Sequence, residues 1–317
     1  MSPIACCPVL SSLFVRGRIA WTTKISHEAL RQHTKNSPSR FSKLLRMKFI
    51  RRLGLLVCLL LSLLAFLSDV GAQGAAQSPA PRNPILFLIG DSTVKNSTKG
   101  LEGWGTPVAA WFDPDKITVE NHALGGRSSR SYLREGLWDA VVAKLQPGDF
   151  VLMQFGHNDN GPLDDAKARA SLKGTGDETK DVTLPNGNQE TVHSYGWYLR
   201  RYISDTKSKG ANPIVCSLIP RNIWNNGKVA RSTSDFGKWA ADAAHAEGAQ
   251  FLDLNTIIAD HYDQLGAAKV MELYFTAADH THTVPAGAEF NASCVAEGLR
   301  ALKGCPLSAD LLATPRR

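Results

Sequence analysis

Short apolar segments and longer amphipathic stretches alternate along the chain from residue 84 onward. The apolar segments begin with Pro84–Gly90 and recur near residues 117, 149, 213 and 249. Each is long enough for a buried strand and too short for a helix. Because strands that alternate with helices form parallel sheets covered on both faces, the pattern predicts a three-layer α/β/α fold with a five-stranded parallel sheet. The predicted helices are Pro107–Phe112, Ser131–Lys144, Tyr195–Lys209, Ser234–Glu247, Thr256–Leu265 and Pro285–Leu302.

The stretch from Lys173 to Val192 interrupts this alternation. It is polar and rich in glycine, and the pair Asn186 and Gly187 is a signal for a tight turn between two strands. We therefore expect an inserted loop or hairpin at this position.

The N-terminal part of the chain has the pattern of a targeting segment. A basic stretch that starts at Met47 precedes the apolar run Leu53–Leu67 and a group of small residues, so residues 47–72 are predicted to be a secretory signal peptide. The run is shorter than a membrane span, and we expect no membrane attachment after cleavage. Residues 1–46 carry no targeting pattern, and we hypothesise that translation starts at Met47. Residues 73–84 form a predicted linker, residues 85–310 form one predicted domain, and the product is expected to be secreted or periplasmic.

The charge of the chain is concentrated in this leader. Residues 1–72 hold 11 Lys and Arg against 2 Asp and Glu, whereas residues 73–317 hold 25 against 27 and have a net charge of −2. The predicted domain therefore has no basic field for nucleic acid. It keeps three cysteines; Cys216 is expected to be a buried thiol, and Cys294 and Cys305 either pair in a disulfide or stay free.

Polar residues and glycines follow three of the predicted strands and precede the last predicted helix. In an open parallel sheet, such strand-end residues meet at the edge where ligands bind. The pattern therefore predicts one site built from four distant parts of the chain. Its members are Asp91, Ser92, Gly125, Gly126, His157, Asn158, Asp159, Asp279, His280 and His282.

These residue types fit acyl transfer. The hydroxyl of Ser92 becomes a nucleophile when a base takes its proton, and His282 is the favoured base because Asp279 precedes it at a spacing that one turn can present. His280 is the rival base. An oxyanion needs donors, and the backbone N–H groups of Ser92 and Gly126 and the side-chain amide of Asn158 are the candidates. The arrangement requires no cofactor.

Four short motifs carry a resemblance to a known family. "GDST", "NHALGGRSSRSYLREG", "GHND" and "DHTHTVPAGAE" resemble the four blocks of the SGNH (GDSL-type) hydrolases, and more closely those of the rhamnogalacturonan acetylesterases. The likeness runs from about Ile85 to Leu302. It implies a flavodoxin-like fold, a monomeric enzyme without metal or other cofactor, and acetylated polysaccharide as substrate. It also implies the roles of the site residues: Ser92 as nucleophile, Asp279 and His282 as its triad partners, and Gly126 and Asn158 in the oxyanion hole.

Substrate contacts are less well defined by the sequence. Trp104, Trp197 and Trp224 are candidates for stacking on sugar rings, although ordinary packing explains a single tryptophan equally well. Arg127 and Arg130 are candidates for holding a uronate carboxylate, and Arg127 could instead brace its own loop. His280 is a further candidate contact.

Two other functions remain open from the sequence. Asp91, His157, Asp159, Asp279, His280 and His282 use the ligand types of a metal-dependent phosphoesterase. Alternatively, an esterase of this family could act on xylan or on small acyl esters.

Overall fold

A five-stranded parallel sheet forms the centre of the computed structural model, which describes residues 82–316. Its strands lie in the order β2-β1-β3-β6-β9, which is the flavodoxin-like order, and they confirm the predicted fold class. Residues 1–46, the predicted signal peptide and most of the predicted linker lie outside the described residues. The sheet strands are β1 (Ile85–Gly90), β2 (Thr118–Asn121), β3 (Phe150–Gln154), β6 (Asn212–Cys216) and β9 (Gln250–Leu252).

Side chains alternate between the two faces of the sheet and form a separate core on each face. Leu86 and Leu88 of β1 point to one core, and Phe87 and Ile89 point to the other, as the two-residue period of a strand requires. Because both faces are covered, β3 is buried along its whole length. This explains why the strands appear in the sequence as continuous apolar runs.

Helices cover each face. Those on the face of Phe87 and Ile89 are α1 (Ser129–Arg134), α2 (Leu137–Val142), α3 (Tyr195–Ser208) and α4 (Phe236–Ala246). Those on the opposite face are α5 (Leu254–Leu265), α6 (Ala267–Tyr274) and α7 (Pro285–Ala301), together with the short 3-10 helix Pro107–Trp111. A second 3-10 helix, Pro306–Asp310, follows α7. None of the helices within residues 82–316 has the length and apolar character needed to cross a membrane.

Each of the six predicted helices has a helix at its place, with the following differences. The predicted helix Ser131–Lys144 is divided into α1 and α2, because Gly136 has a left-handed backbone conformation with φ of 72°. The helix α6 was not predicted, and it follows α5 directly after Gly266. The first predicted helix, Pro107–Phe112, is a 3-10 helix instead of an α-helix.

Two hairpins extend from the sheet. The predicted insertion is the antiparallel pair β4 (Thr179–Thr183) and β5 (Gln189–His193), and Gly187 in its turn has φ of 85°. The second pair, β7 (Trp224–Asn225) and β8 (Lys228–Val229), was not predicted. Its turn residues, Asn226 and Gly227, both have positive φ, which is the backbone that an Asn-Gly hairpin turn requires.

A buried ion pair fastens the first hairpin to α1. The guanidinium of Arg130 has no exposed surface, and it donates to the Glu190 carboxylate at 2.8 and 2.6 Å and to the carbonyls of Leu163 and Ala170. The prediction that Arg130 holds a substrate carboxylate is therefore wrong, because the side chain is buried and each of its three nitrogens donates within the fold.

Replacement of Glu190 by Ala is expected to destabilise the protein by about 3 kcal/mol, because it leaves a buried guanidinium without its carboxylate. Burial raises the pKa of Glu190, but the bonds from Arg130 and Arg134 outweigh it and lower the pKa, so the carboxylate is charged at neutral pH. Urea unfolding measures the loss. Asp181→Ala is the control, because Asp181 lies exposed on the same hairpin and bonds only Thr191 there. Equal stability of the two variants would contradict the expectation.

The three cysteines of the described residues are free and buried. Cys294 and Cys305 do not form the disulfide that the sequence left open. Burial raises the pKa of Cys294 to about 12 and that of Cys216 far above its ordinary value, so both are neutral thiols in packed surroundings.

Candidate active site

The turn after β1 presents Ser92 at the carboxyl edge of the sheet. Asp91 shapes this turn, because its carboxylate accepts hydrogen bonds from the backbone N–H and the hydroxyl of Thr93 at 2.8 and 2.7 Å. Gly90 allows the turn to lie against the neighbouring strand, since a Cβ at this position would stand 2.5 Å from the Gln154 carbonyl oxygen. The side chain of Asp91 is thus structural, and that of Ser92 is left for chemistry.

Ser92 and His282 meet across 190 residues of sequence. The Ser92 Oγ lies 2.7 Å from the His282 Nε2, and the His282 Nδ1 lies 2.7 Å from the Asp279 Oδ2. Because an ionised carboxylate can only accept a hydrogen bond, Nδ1 carries the proton and Nε2 is the free acceptor that faces the hydroxyl. The three side chains form a continuous hydrogen-bonded chain from carboxylate to hydroxyl.

The Asp279 carboxylate is held in its charged form. Its Oδ1 accepts from the backbone N–H groups of Thr281 and His282 at 2.8 and 3.0 Å, so a single turn positions both the carboxylate and the imidazole. Burial raises the pKa of Asp279, but these hydrogen bonds and the imidazole outweigh it and lower the pKa to about 2. The carboxylate can therefore orient the ring and stabilise its protonated form.

The loop that carries the imidazole is anchored on both sides. The backbone N–H of Glu102 donates to the Thr283 carbonyl at 2.9 Å, and the Thr283 hydroxyl donates to the Glu102 carbonyl at 3.0 Å. The carbonyl of His280 accepts from the backbone N–H of Asn222 at 2.7 Å. The ring of His280 makes no hydrogen bond within residues 82–316, so the structure places His282, and not His280, on Ser92.

Donors for an oxyanion lie in the two neighbouring loops. Gly126 has φ of 80°, a conformation that favours glycine, and Gly125 packs beside Ser92, where a Cβ would stand 3.5 Å from the Ser92 Cβ. The N–H groups of Ser92 and Gly126 bond no acceptor within residues 82–316. Asn158 donates one Nδ2 hydrogen to the Arg127 carbonyl at 2.8 Å, which fixes the amide and leaves its second hydrogen free.

Asn158→Ala is expected to lower kcat by about 10²–10³-fold with a small change in KM, because it removes a donor that acts on the transition state. Steady-state kinetics with an acetyl ester measures both constants. Asn160→Ala is the matched control, since Asn160 is an exposed neighbour on the same loop. A kcat for Asn158→Ala that matches the control contradicts the assignment.

The other polar residues of the third motif are buried and structural. The His157 Nδ1 accepts from Arg221 at 3.4 Å, and burial lowers the pKa of His157 to about 4. Asp159 accepts from the backbone N–H and hydroxyl of Ser129, and so joins this loop to the start of α1. Burial raises the pKa of Asp159 to about 7, although the Ser129 hydrogen bonds oppose the shift.

The candidate metal ligands do not converge. In the part of the chain that the structure describes, only one group of three His, Cys, Asp or Glu side chains has all its ligand atoms within 4.8 Å of one another, and it consists of His261, Cys294 and Glu297. These residues lie on α5 and α7, not at the strand ends. The Asp91 Oδ1 accepts from Thr93, and the Asp159 carboxylate accepts from the backbone N–H and hydroxyl of Ser129, so neither is arranged as a ligand of a two-metal phosphoesterase site.

The predicted substrate contacts have different surroundings in the structure. Trp104 has no exposed surface and donates to Gln154 at 2.8 Å, so the prediction that it stacks on a sugar is wrong. Trp224 is half-buried on β7 and donates to Asn222, the residue that bonds His280, so it lies near the site. Arg127 donates to Glu135 at 2.9 Å and to the Gly125 carbonyl at 3.0 Å, as expected if it braces its loop. Trp197 stacks on His193 with ring centres 3.7 Å apart.

Comparison with known proteins identifies the family. The model of the GDSL-like lipase/acylhydrolase family matches residues 88–289. The chain belongs to this family. A rhamnogalacturonan acetylesterase of Emericella nidulans is 38% identical over 205 residues, which are 65% of this chain and 80% of that protein.

Other relatives extend the comparison. A probable rhamnogalacturonan acetylesterase of Bacillus subtilis, YesY, is 28% identical over 232 residues, which are 72% of this chain and 97% of that protein. The crystal structure of YxiM from Bacillus subtilis has a TM-score of 0.56 and 23% identity, and the similarity covers 69% of this chain and 57% of that chain. At this identity the last comparison shows the fold alone.

As a member of the GDSL-like lipase/acylhydrolase family, the chain is a carboxylic ester hydrolase, and the resemblance seen in its sequence is confirmed. The family match also contradicts the alternative of a metal-dependent phosphoesterase.

Two residues of this site were not predicted. Arg169 donates to the Gly126 carbonyl at 3.0 Å, and Asn222 holds the His280 loop; both lie in segments without helix or strand pattern, so the sequence carries no signal for them.

Proposed function

We propose that this protein removes acetyl groups from a plant cell-wall polysaccharide of the rhamnogalacturonan or pectin type, through a Ser-His-Asp triad and an acyl-enzyme. The observation that carries the proposal is the 2.7 Å contact between the Ser92 Oγ and the His282 Nε2, with Asp279 behind the ring. The names of the relatives from Emericella nidulans and Bacillus subtilis support the choice of substrate.

In the first half-reaction, the His282 Nε2 takes the hydroxyl proton of Ser92 as Oγ attacks the acetyl carbonyl carbon. The negative oxygen that forms is stabilised by the N–H groups of Ser92 and Gly126 and by the Asn158 amide. The protonated imidazole then gives its proton to the departing sugar oxygen, which leaves an acetyl group on Ser92.

In the second half-reaction, water attacks the acetyl carbon while the His282 Nε2 takes a proton from the water. The bond to Ser92 Oγ then breaks, the imidazole returns the proton to Oγ, and acetate leaves with the hydroxyl of Ser92 restored. Asp279 stays ionised throughout, in keeping with its low pKa, and keeps the ring in one tautomer. The three side chains are open to solvent, since those of Asp279 and His282 are each 28% exposed and Ser92 is half-buried. An acetyl group on a long polymer can approach such a site without entering a tunnel.

A serine-directed fluorophosphonate is expected to label Ser92 and abolish acetate release, whereas a chelator leaves the rate unchanged. Acetylated rhamnogalacturonan, homogalacturonan and xylan, assayed side by side, identify the preferred polymer. Activity that survives labelling but is lost with chelator would contradict the serine mechanism. Preference for xylan would retain the mechanism and contradict the substrate.

We further propose that the enzyme is exported as a monomer, with residues 47–72 as its signal peptide. The basic stretch from Met47, the apolar run Leu53–Leu67 and the small residues that follow it support export. N-terminal sequencing of the exported product is the test, and a product that still begins at Met1 would contradict both the signal peptide and the start at Met47.

A further inference from the structure

A pocket of about 260 Å³ opens beside the candidate oxyanion hole. It shares Gly126 with that site, and its other lining residues are Arg127, Ser131, Glu135, Lys167 and Arg169. The wall thus contains three cations and one carboxylate.

Two of the three cations lack an acidic partner. Glu135 is paired with Arg127 at 2.9 Å, and its other oxygen lies 3.9 Å from Arg134. Within residues 82–316, Lys167 and Arg169 form no ion pair. Arg169 uses Nη1 for the Gly126 carbonyl, and the rest of its guanidinium has no acceptor in that part of the chain.

The backbone between these two cations is fixed in an unusual conformation. Ala168 lies between them with φ of 45°, although it is not a glycine. Its N–H bonds Asp165, and its carbonyl accepts from Arg134, while the hydroxyl of Ser128 donates to the carbonyl of Arg169. Strained backbone of this kind persists where the surroundings determine it, and here it holds Arg169 against the pocket.

We propose that this pocket is a carboxylate subsite, in which Arg169 and Lys167 bind a uronic acid residue of the polysaccharide next to the acetyl group that is removed. The inference rests on the proposed function and names the substrate feature that the enzyme selects. A guanidinium presents paired N–H donors that match a carboxylate, and Lys167 adds a point charge. The hydrogen bond from the Arg169 Nη1 to the Gly126 carbonyl places this charge beside the glycine whose N–H is a proposed oxyanion donor.

The pocket also explains how a uronate can be recognised although the two arginines expected from the sequence are already paired with carboxylates of the protein. Arg130 is buried against Glu190, and Arg127 is paired with Glu135. Neutral acetylated polymers such as xylan have no group for the cations of the pocket. The subsite therefore favours acetylated uronides over neutral chains.

The test compares two forms of one substrate: acetylated oligogalacturonide with free carboxylates, and the same material after methyl esterification. For Arg169→Gln, the ratio of kcat/KM between the charged and the esterified form is expected to fall by about tenfold, because one charge-assisted pair is lost. Lys167→Gln is expected to lower the ratio by about threefold, because an exposed cation is worth less. Arg169→Lys, which keeps the charge and loses the fork, is expected to lie between the wild type and Arg169→Gln.

Arg201→Gln is the matched control, because Arg201 is an exposed cation on α3 that pairs with Asp205. The ratio of kcat/KM between the charged and the esterified form should be the same for this variant as for the wild type. If Arg169 only braced the Gly126 loop, Arg169→Gln would lower kcat/KM for both substrate forms by the same factor and leave their ratio unchanged. That result would overturn the subsite. An unfolding midpoint within the range of the control confirms that each variant is folded.

Failure of the proposed function has a different signature. If the wild type releases acetate from both forms at equal kcat/KM, the subsite is wrong and the esterase stands. If the wild type releases no acetate from either form or from xylan, while a fluorophosphonate still labels Ser92, both proposals fail.

Discussion

Ser92→Ala is expected to lower kcat for acetate release by about 10⁶-fold, because removal of the nucleophile of a triad abolishes the covalent route. What remains is the slow attack of water on an ester that is bound and polarised by the oxyanion donors. Purified protein must be assayed at high concentration, with acetate measured directly, because the residual rate is small.

The structure makes Ser92→Ala a clean change. Ser92 Oγ bonds only His282 in the described residues, and its backbone is held by Asp91 and the turn that follows, so the fold does not depend on the hydroxyl. The urea midpoint should therefore equal that of the wild type. Retention of more than about 1% of kcat in a folded variant would mean that another group is the nucleophile, since triad serines do not tolerate removal.

Asp279→Asn is expected to lower kcat by about 10⁴-fold with the geometry intact. An amide in place of the carboxylate presents an N–H to the His282 Nδ1, which drives the ring proton to Nε2. That nitrogen can then no longer accept the proton of Ser92. The amide oxygen can still accept from the backbone N–H groups of Thr281 and His282, so the turn itself should persist.

His280→Ala is the comparison for Asp279→Asn, because it changes the neighbouring residue of the same loop while its backbone carbonyl still accepts from Asn222. It should retain far more activity than Asp279→Asn. If the two variants lost activity equally, the loop as a whole and not the carboxylate would be responsible. If His280→Ala were the less active of the two, the base would have to be reassigned.

The fold was predictable because its central strands are buried on both faces. β1 and β3 are apolar at nearly every position, so their place between helices could be deduced without knowledge of their partners. The division of the second predicted helix at Gly136 depends on a single left-handed residue, which periodicity does not reveal. The hairpin of Trp224 carried an Asn-Gly signal, but strands of two residues are too short to show alternation.

For the site, the sequence predicted the positions of the strand-end residues more accurately than those of the residues around them. The positions of Ser92, Asp279 and His282 follow from strand ends and from local spacing. Whether Trp104 or Arg130 faces solvent depends on tertiary packing, and both turned out to be buried. Arg169 reaches Gly126 from a segment without periodic pattern, so no local rule connects the two.

The most direct test of the central claim is a rapid-quench measurement with p-nitrophenyl acetate, followed by peptide mapping. Release of p-nitrophenol should begin with a burst of about one equivalent of enzyme, and the quenched protein should carry one acetyl group on the peptide that contains Ser92. Steady turnover with that peptide unmodified at every time, or an acetyl group on any other residue, would contradict the account.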